Sequence, residues 1–304
     1  MLDAAFIAID WGTTSTRAYA VDRNDAVVAT RTASLGIQQV REGGFAEALD
    51  ALLGDWSALP VPRVASGMIG SRQGWIEVPY LECPASFEAL GAHMLETPRR
   101  ELAIVPGLLV RDVEGVPDVM RGEETQLAGA AGDDASMLAV LPGTHSKWAR
   151  VERGRIVDFA SYMTGELYAV LLAHSILGRL AHVEAAPASP GASFEAGVSR
   201  GLATGGLGHR IFAARTLALT GAIDARDVPD YLSGVLIGDE IAAARAWAAR
   251  GNRGAGAVCV IGADALVDRY VAALAIAGIP CQRGPADAAV RGLTRLARLA
   301  RRIE

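Results

Sequence analysis

Two stretches of this chain, about half its length apart, pass through the same local preferences in the same order. In the first, the apolar run Phe6–Asp10 ends on an acid and the loop Trp11–Thr14 follows. Ser15–Asp22 then alternates as a strand does, and a polar turn at Asp22–Asp25 leads into Ala26–Thr30. In the second, Met137–Leu141 is the apolar run, Pro142–His145 the loop and Lys147–Val151 the strand. Glu152–Arg155 is its turn and Ile156–Ala160 its third strand. The pairs Gly12-Thr13 and Gly143-Thr144 occupy the same place in each unit. A unit present twice, and not as a solenoid, fits two related halves and fits equally a chance recurrence of a common pattern.

Helical periodicity accounts for most of the remainder. Expected helices are Phe45–Trp56, Ser86–Leu95, Glu123–Ala131, Glu166–Leu177, Phe194–Gly206, Arg210–Leu219, Asp227–Arg250, Ala263–Ala277 and Asp287–Arg302. Val258–Ile261 is a buried strand feeding one of them, and Pro187–Pro190 is a short loop. Hairpins opening each half, followed by helices, predict a two-domain α/β protein divided into residues 1–133 and 134–304. A length of 304 residues accommodates two such cores.

Composition removes several classes of function. A net charge of −5 with 6% aromatics argues against a nucleic-acid binder. Three scattered cysteines, Cys83, Cys259 and Cys281, form neither a disulfide framework nor a zinc knuckle and read as inert buried thiols. The start MLDAAFIAID has no basic region of the kind that begins a signal peptide. The apolar stretches near Leu167–Leu177 and Val271–Ile279 are too short to span a bilayer. The expected location is therefore cytoplasmic and reducing, with no membrane partner.

Each Gly-Thr loop offers backbone N–H groups that no side chain shields, with hydroxyls beside them, which suits phosphate oxygens. Either loop alone reads sooner as a plain hairpin or turn. Two of them facing one another are able to grip both ends of a polyphosphate. Asp10, directly before the first loop, then needs a cation between its carboxylate and the phosphates, which implies Mg²⁺. The G-x-x-x-x-G-K-[ST] loop is absent, so this is not a P-loop enzyme.

DWGTTSTR (Asp10–Arg17) resembles the first phosphate motif of the sugar kinase/actin/heat-shock ATPase superfamily. PGTHSKW (Pro142–Trp148) takes the place of the second, and Val258–Ala263 that of its adenosine motif. SGMIGSRQGW (Ser66–Trp75), DVMRGEETQ (Asp118–Gln126), LPGTHSKW and MTGELY (Met163–Tyr168) together are similar to the 2-dehydro-3-deoxygalactonokinase family over essentially the whole chain. The resemblance implies an actin-like, ribonuclease H-like two-domain α/β fold with an active-site cleft between the domains. In this superfamily terminal helices cross back to the other domain, which softens the expected boundary. It further implies ATP and Mg²⁺, with transfer of phosphate to the terminal hydroxyl of 2-dehydro-3-deoxy-D-galactonate. Gly12, Thr13, Thr14, Gly143, Thr144, Gly262 and Ala263 are the implied nucleotide contacts. The adenosine segment departs from the wider pattern, with Gly262-Ala263-Asp264 where paired glycines are commoner.

Phosphoryl transfer needs positioning, charge neutralisation and a base for the hydroxyl proton. Glu123, after a glycine at a helix start, matches the place of the superfamily's acid; Glu124 is its rival. Both carboxylates equally suit the positive end of a helix dipole. For the substrate's carboxylate a guanidinium is apt, and among 28 arginines the motif context raises Arg72, in SGMIGSRQGW, and then Arg121, close to Glu123, with Trp75 as a wall of the sugar pocket. Thr164 reads as a helix N-cap. His145 sits inside the second loop, while His93, His174, His182 and His209 lack ligand spacing. Of 29 basic residues 28 are arginine, and the single lysine, Lys147, falls inside the second phosphate motif. An ammonium and a guanidinium are not equivalent beside a phosphate, so Lys147 is a further candidate for substrate binding. The expected partners are ATP and a small sugar acid, and a homodimer is left open. Kinases of other sugar acids share these phosphate motifs. A non-catalytic sensor on this fold would carry a helix-turn-helix extension, which is not seen before the first strand.

Overall fold

The computed structural model describes residues 2–98, 102–132, 136–179, 190–250 and 256–303. They form two compact units: Met1–Ser136 with Arg150–Phe159 and Asp287–Glu304, and Met137–Ala149 with Ala160–Ala286. The C-terminal helix thus belongs to the first unit. The expected division at 133/134, the segment 187–189 and His182 lie outside the described residues.

The chain opens with β1 (Phe6–Trp11), β2 (Thr16–Val21), β3 (Val27–Ala33), α1 (Phe45–Leu53) and β4 (Arg63–Gly67). Short elements follow: β5 (Leu81–Glu82), β6 (Ala85–Ser86), α2 (Phe87–Ala92), β7 (Leu95–Glu96) and β8 (Ala103–Ile104). β9 (Leu108–Arg111), β10 (Pro117–Met120) and α3 (Glu123–Ala130) complete this part. Next come β11 (Ser136–Leu141), β12 (Ser146–Glu152), β13 (Arg155–Tyr162), α4 (Thr164–His174), α5 (Ala192–Leu202) and α6 (Leu207–Leu219). The last elements are α7 (Val228–Ala249), β14 (Val258–Val260), α8 (Asp264–Ile276), β15 (Cys281–Arg283) and α9 (Ala288–Leu299).

One six-stranded sheet has the order β3-β2-β1-β4-β8-β7, and the other reads β13-β12-β11-β14-β15 outward from β6. Five strands of each follow the same order, three in reverse sequence and then two on the other side of the first, with β7 added beyond β8 in one sheet and β6 beside β13 in the other. β1 pairs parallel with β4 and β4 with β8, as β11 pairs parallel with β14 and β14 with β15. This is the duplicated actin-like arrangement. β1 lies centrally, so Phe6, Ile7, Ala8 and Ile9 are all fully buried and form an unbroken apolar run. The edge strand β3 alternates exposed and half-buried positions instead.

Within each unit two helices meet backbone to backbone at glycines. α5 and α7 both carry a glycine pair four residues apart, Gly197/Gly201 and Gly234/Gly238. A Cβ on Gly197 would lie 2.2 Å from the Tyr231 carbonyl oxygen, and one on Gly234 the same distance from that of Phe194. In the first unit, a Cβ on Gly129 of α3 would lie 2.0 Å from the Ala288 oxygen at the start of α9. Arg295 of α9 also donates to the Ala128 and Ala131 carbonyls at 2.9 and 2.7 Å, satisfying the C-terminal end of α3.

No methyl group fits in these seams, so Gly234→Ala should lower unfolding stability by about 2–3 kcal/mol through overpacking. Gly208→Ala on α6, where an added Cβ meets nothing within 4 Å, should be neutral or slightly stabilising. Chemical denaturation of both variants decides it: equal stabilities would mean that the α5–α7 contact is looser than described.

Candidate active site

The first Gly-Thr loop hangs from the carboxy-terminal end of β1, where parallel strands of an α/β sheet commonly present ligand sites. Register pairs Asp10 with Arg17 across β2 and with Ser66 across β4, so the segment Ser66–Trp75 departs beside Asp10. The loop is held from beneath. Ile37 and Gln38 donate their backbone N–H groups to the Gly12 and Thr13 carbonyls at 3.1 and 3.2 Å. Gly36 passes so close that a Cβ would sit 2.2 Å from the Thr13 oxygen and the Thr14 nitrogen. With its carbonyls turned inward, the loop exposes Thr13 and Thr14.

The second loop repeats this support. Glu166 N–H donates to the Thr144 carbonyl at 3.0 Å, and a Cβ on Gly165 would lie 2.4 Å from the Gly143 oxygen. Gly36 and Gly165 each lie three residues beyond the end of the third strand of their repeat. An added Cβ on Gly143 would meet nothing within 4 Å. Its chain neighbour Thr144 is exposed. Gly262, with φ +158°, lies by Pro142, and Ala263 is exposed directly before α8.

A cavity of about 270 Å³ opens in the second unit, walled by Gly143, Thr164, Tyr168, Leu236, Leu266, Arg269 and Tyr270. Its lining is largely apolar. Arg269 is paired with Asp230 at 2.7 Å and lies over the Phe194 ring. The cavity adjoins both the loop at Gly143 and the start of α8, as a base pocket next to a phosphate loop would.

The expected catalytic carboxylates gather in the first unit. Asp10 is half-buried; burial raises its pKa, the Arg17 guanidinium lowers it and the Glu123 carboxylate raises it again. Gly122, at φ +110°, is the N-cap of α3, and a Cβ on it would lie 3.3 Å from Gly67 Cα at the end of β4. This close approach brings the start of α3 to the ends of β1 and β4. Glu123 is half-buried, and its Oε2 accepts the Arg121 N–H at 3.0 Å. Glu124 is fully buried, accepting from the Gly122 N–H at 2.6 Å and the Thr125 hydroxyl at 3.1 Å. Burial first, and the Glu123 charge second, push its pKa to about 8. The two neighbours therefore differ: Glu124 is a neutral internal cap at moderate pH, while Glu123 is the one open to a ligand.

Arg72 is exposed in the loop after β4. Arg121 is only 8% exposed: its Nη2 donates to the Val78 carbonyl at 2.7 Å and its guanidinium lies over Tyr80, which braces the same loop. Trp75 is half-buried and stacks on Phe45 at 6.3 Å. Lys147 is 5% exposed, with Nζ donating to the His145 carbonyl at 3.2 Å, and so ties β12 to the second loop. His145 itself pairs with Glu166.

Two expectations change. Met163, not Thr164, is the N-cap of α4; Thr164 enters the first turn and turns its hydroxyl onto the buried Glu240. Of the three thiols only Cys259 is buried, Cys83 and Cys281 being half-buried. Burial still raises all three, Cys83 to about 12 with help from the nearby Asp158 carboxylate, so they stay protonated. Gly36 and Glu240 were missed, and Gly165 entered only within the motif MTGELY. The available signal for Glu240 was an acid on an otherwise apolar helix face, in VLIGDEI.

No group of three or more His, Cys, Asp or Glu among the described residues could hold a metal by itself. Asp10 and Glu123 nonetheless fit Mg²⁺, which takes one or two protein carboxylates and completes its shell with water and substrate phosphates. Their mutual repulsion is the feature a cation would relieve.

The family model for 2-keto-3-deoxy-galactonokinase matches residues 10–296. The "Probable 2-dehydro-3-deoxygalactonokinase" of Rhizobium meliloti (strain 1021) is 38% identical over 304 residues, with 96% of each chain covered. The 2-dehydro-3-deoxygalactonokinase of Escherichia coli (strain K12) is 36% identical over 269 residues, 88% of this chain and 89% of that one. A crystal structure from Sinorhizobium meliloti, provisionally given the same kinase name, superposes with a TM-score of 0.88 at 38% identity. It covers 96% of this chain and 98% of its own.

Glu124 has a consequence for stability. Its folded pKa, about 8, stands above the ordinary 4.5, so between those values the folded state holds more protons and loses stability as pH rises. The loss is at most about 1.4 kcal/mol per pH unit. Glu124→Gln keeps an acceptor for Gly122 and should flatten the fall between about pH 5 and 8. Parallel stability–pH curves for the two proteins would show that Glu124 is ionised when folded.

Proposed function

The chain belongs to the 2-keto-3-deoxy-galactonokinase family, and on that footing we propose that it transfers the γ-phosphate of ATP to the 6-hydroxyl of 2-dehydro-3-deoxy-D-galactonate. The products are ADP and the 6-phosphate. The observation that carries this reading is the Gly-Thr loop built twice on the same inward-turned backbone support, with a carboxylate pair beside the first copy.

In the reaction, Glu123 accepts the proton of the substrate hydroxyl as its oxygen bonds to the γ-phosphorus. The bond from that phosphorus to the β–γ bridging oxygen breaks, and ADP leaves with the electron pair. The Arg121 N–H orients the Glu123 carboxylate. Asp10, with Glu123 nearby, would hold Mg²⁺, which when bound supplies charge neutralisation for the phosphates. Thr13, Thr14 and Thr144 present hydroxyls, and Gly12 and Gly143 allow close backbone approach. Gly262, Ala263 and the adjoining cavity take the nucleoside. Arg72 receives the sugar-acid carboxylate, Arg121 serves as its second candidate and brace, and Trp75 supplies an apolar wall. Lys147, the lone ammonium, supports the second loop through His145 and is its cationic contact. No helix among the described residues is long and apolar enough to cross a membrane; free cysteines fit a reducing cytoplasm.

ADP release measured with a panel of 2-keto-3-deoxy sugar acids tests the substrate. Turnover should be greatest with the galactonate derivative, and hydrolysis without any sugar acid at the same rate would overturn the kinase reading. Glu123→Gln should fold normally and lose about 10²–10⁴ in kcat; a loss under about threefold rejects it as the base. Arg72→Ala should raise KM for the sugar acid and leave KM for ATP alone, and an unchanged sugar-acid KM removes Arg72 from the carboxylate site.

A further inference from the structure

Glu240 lies near the middle of α7, 2% exposed, and the mechanism makes no use of it. Its pKa is raised, burial outweighing the hydrogen bonds from Thr164, Tyr270 and Trp148 that lower it. Among the described residues no lysine or arginine is paired with this carboxylate; it is satisfied by neutral donors. The Trp148 indole N–H donates to Oε1 at 2.8 Å, the Tyr270 hydroxyl donates to Oε2 at 2.7 Å, and the Thr164 hydroxyl donates to Oε2 as well. Since the tyrosine proton goes to Glu240, the Ser146 hydroxyl at 2.7 Å donates to the tyrosine oxygen. Ser146, Trp148, Thr164 and Tyr270 are all buried.

The origin of these donors matters more than their number. Ser146 and Trp148 lie where β12 leaves the second Gly-Thr loop. Thr164 begins the α4 turn whose Glu166 N–H holds the Thr144 carbonyl. Tyr270 is in α8, and Thr164 and Tyr270 both wall the 270 Å³ cavity. One carboxylate thus bonds to β12 beside the loop, to the start of α4 and to α8. We propose that Glu240 is a positioning residue for the nucleotide, locking the second Gly-Thr loop, the start of α4 and the middle of α8 into one arrangement. The proposal rests on reading that loop as a nucleotide phosphate loop. Glu240 itself touches no reacting atom.

Asp239, the next residue of α7, provides a control. It pairs with Arg210, which also holds the Gly201 and Ala203 carbonyls, and this network reaches α5 and α6 but not the loop. Ser146→Ala and Tyr270→Phe each remove one hydroxyl from the Glu240 network. Each should weaken ADP binding about 5–10-fold by calorimetry without sugar acid, and raise KM for ATP by the same factor. The sugar-acid KM and the kcat should stay within about twofold. Asp239→Asn should lower the melting temperature comparably and leave ADP binding unchanged. Gly143→Ala checks the underlying reading, because only a ligand meets the added methyl.

If Gly143→Ala weakens ADP and the two hydroxyl deletions do not, the proposal fails and the nucleotide reading stands. If Gly143→Ala leaves ADP binding intact, the reading falls and the proposal with it. Changes in all kinetic constants that merely track lost stability, as in Asp239→Asn, would make Glu240 a structural brace and overturn it. Should Tyr270→Phe fail to fold, Ser146→Ala carries the comparison alone, since it deletes a single atom outside the cavity.

Discussion

Beneath each Gly-Thr loop, backbone passes against backbone with no room for a side chain. Gly36 and Gly165 create this contact, and the placement of the loop hydroxyls depends on it. Amide donors and a missing Cβ turn loop carbonyls toward the protein, at Gly12 and Thr13 in one copy and at Thr144 in the other. A loop pinned by its carbonyls can present its hydroxyls outward without further ordering. The parallel strands then decide what stands beside it: Ser66 next to Asp10 in the first unit, the Gly262 turn next to Pro142 in the second.

Each unit also buries a carboxylate near its loop, and the two are stabilised by different chemistry. Glu124 has a backbone N–H and one hydroxyl, feels the charge of Glu123, and goes toward neutrality. Glu240 has three side-chain donors and a fourth behind them; burial raises its pKa as well, and these hydrogen bonds offset part of that rise. Low dielectric surroundings penalise both ionised groups, and what differs is the donor set, local to α3 for Glu124 and drawn from three elements for Glu240. The first arrangement leaves Glu123 as the more accessible carboxylate at the head of α3. The second ties three elements together.

The repeat, the two loops and the helices were legible because they rest on local signals: period, turn residues and glycine. β1 to β3 and β11 to β13 fall within a few residues of the expected strands, and all nine expected helices have counterparts among the described residues. The short strands β5 to β10 and β15 were not legible. Two- to four-residue strands carry no period, and their partners define them: Leu81 is a strand residue because Leu108 lies opposite. Thr164 misled for a similar reason. Its local context favours an N-cap, but a buried acid 76 residues away claims its hydroxyl. The choice between Glu123 and Glu124, adjacent and chemically alike, likewise required burial to be seen. Lys147 stood out by composition alone, and strand alternation could not say which way it faces.

The α5–α7 seam has a mechanical consequence. Contacts between side chains can be rearranged by rotating a bond, whereas contacts between main chains at Gly197, Gly201, Gly234 and Gly238 have no such freedom. The two helices must therefore travel together as one stiff beam. Any change of shape in the second unit as a ligand arrives or leaves has to be taken up elsewhere, at joints made of rotatable groups. Glu240 rides on the same beam, so the elements it holds, β12, the start of α4 and α8, take their position from it.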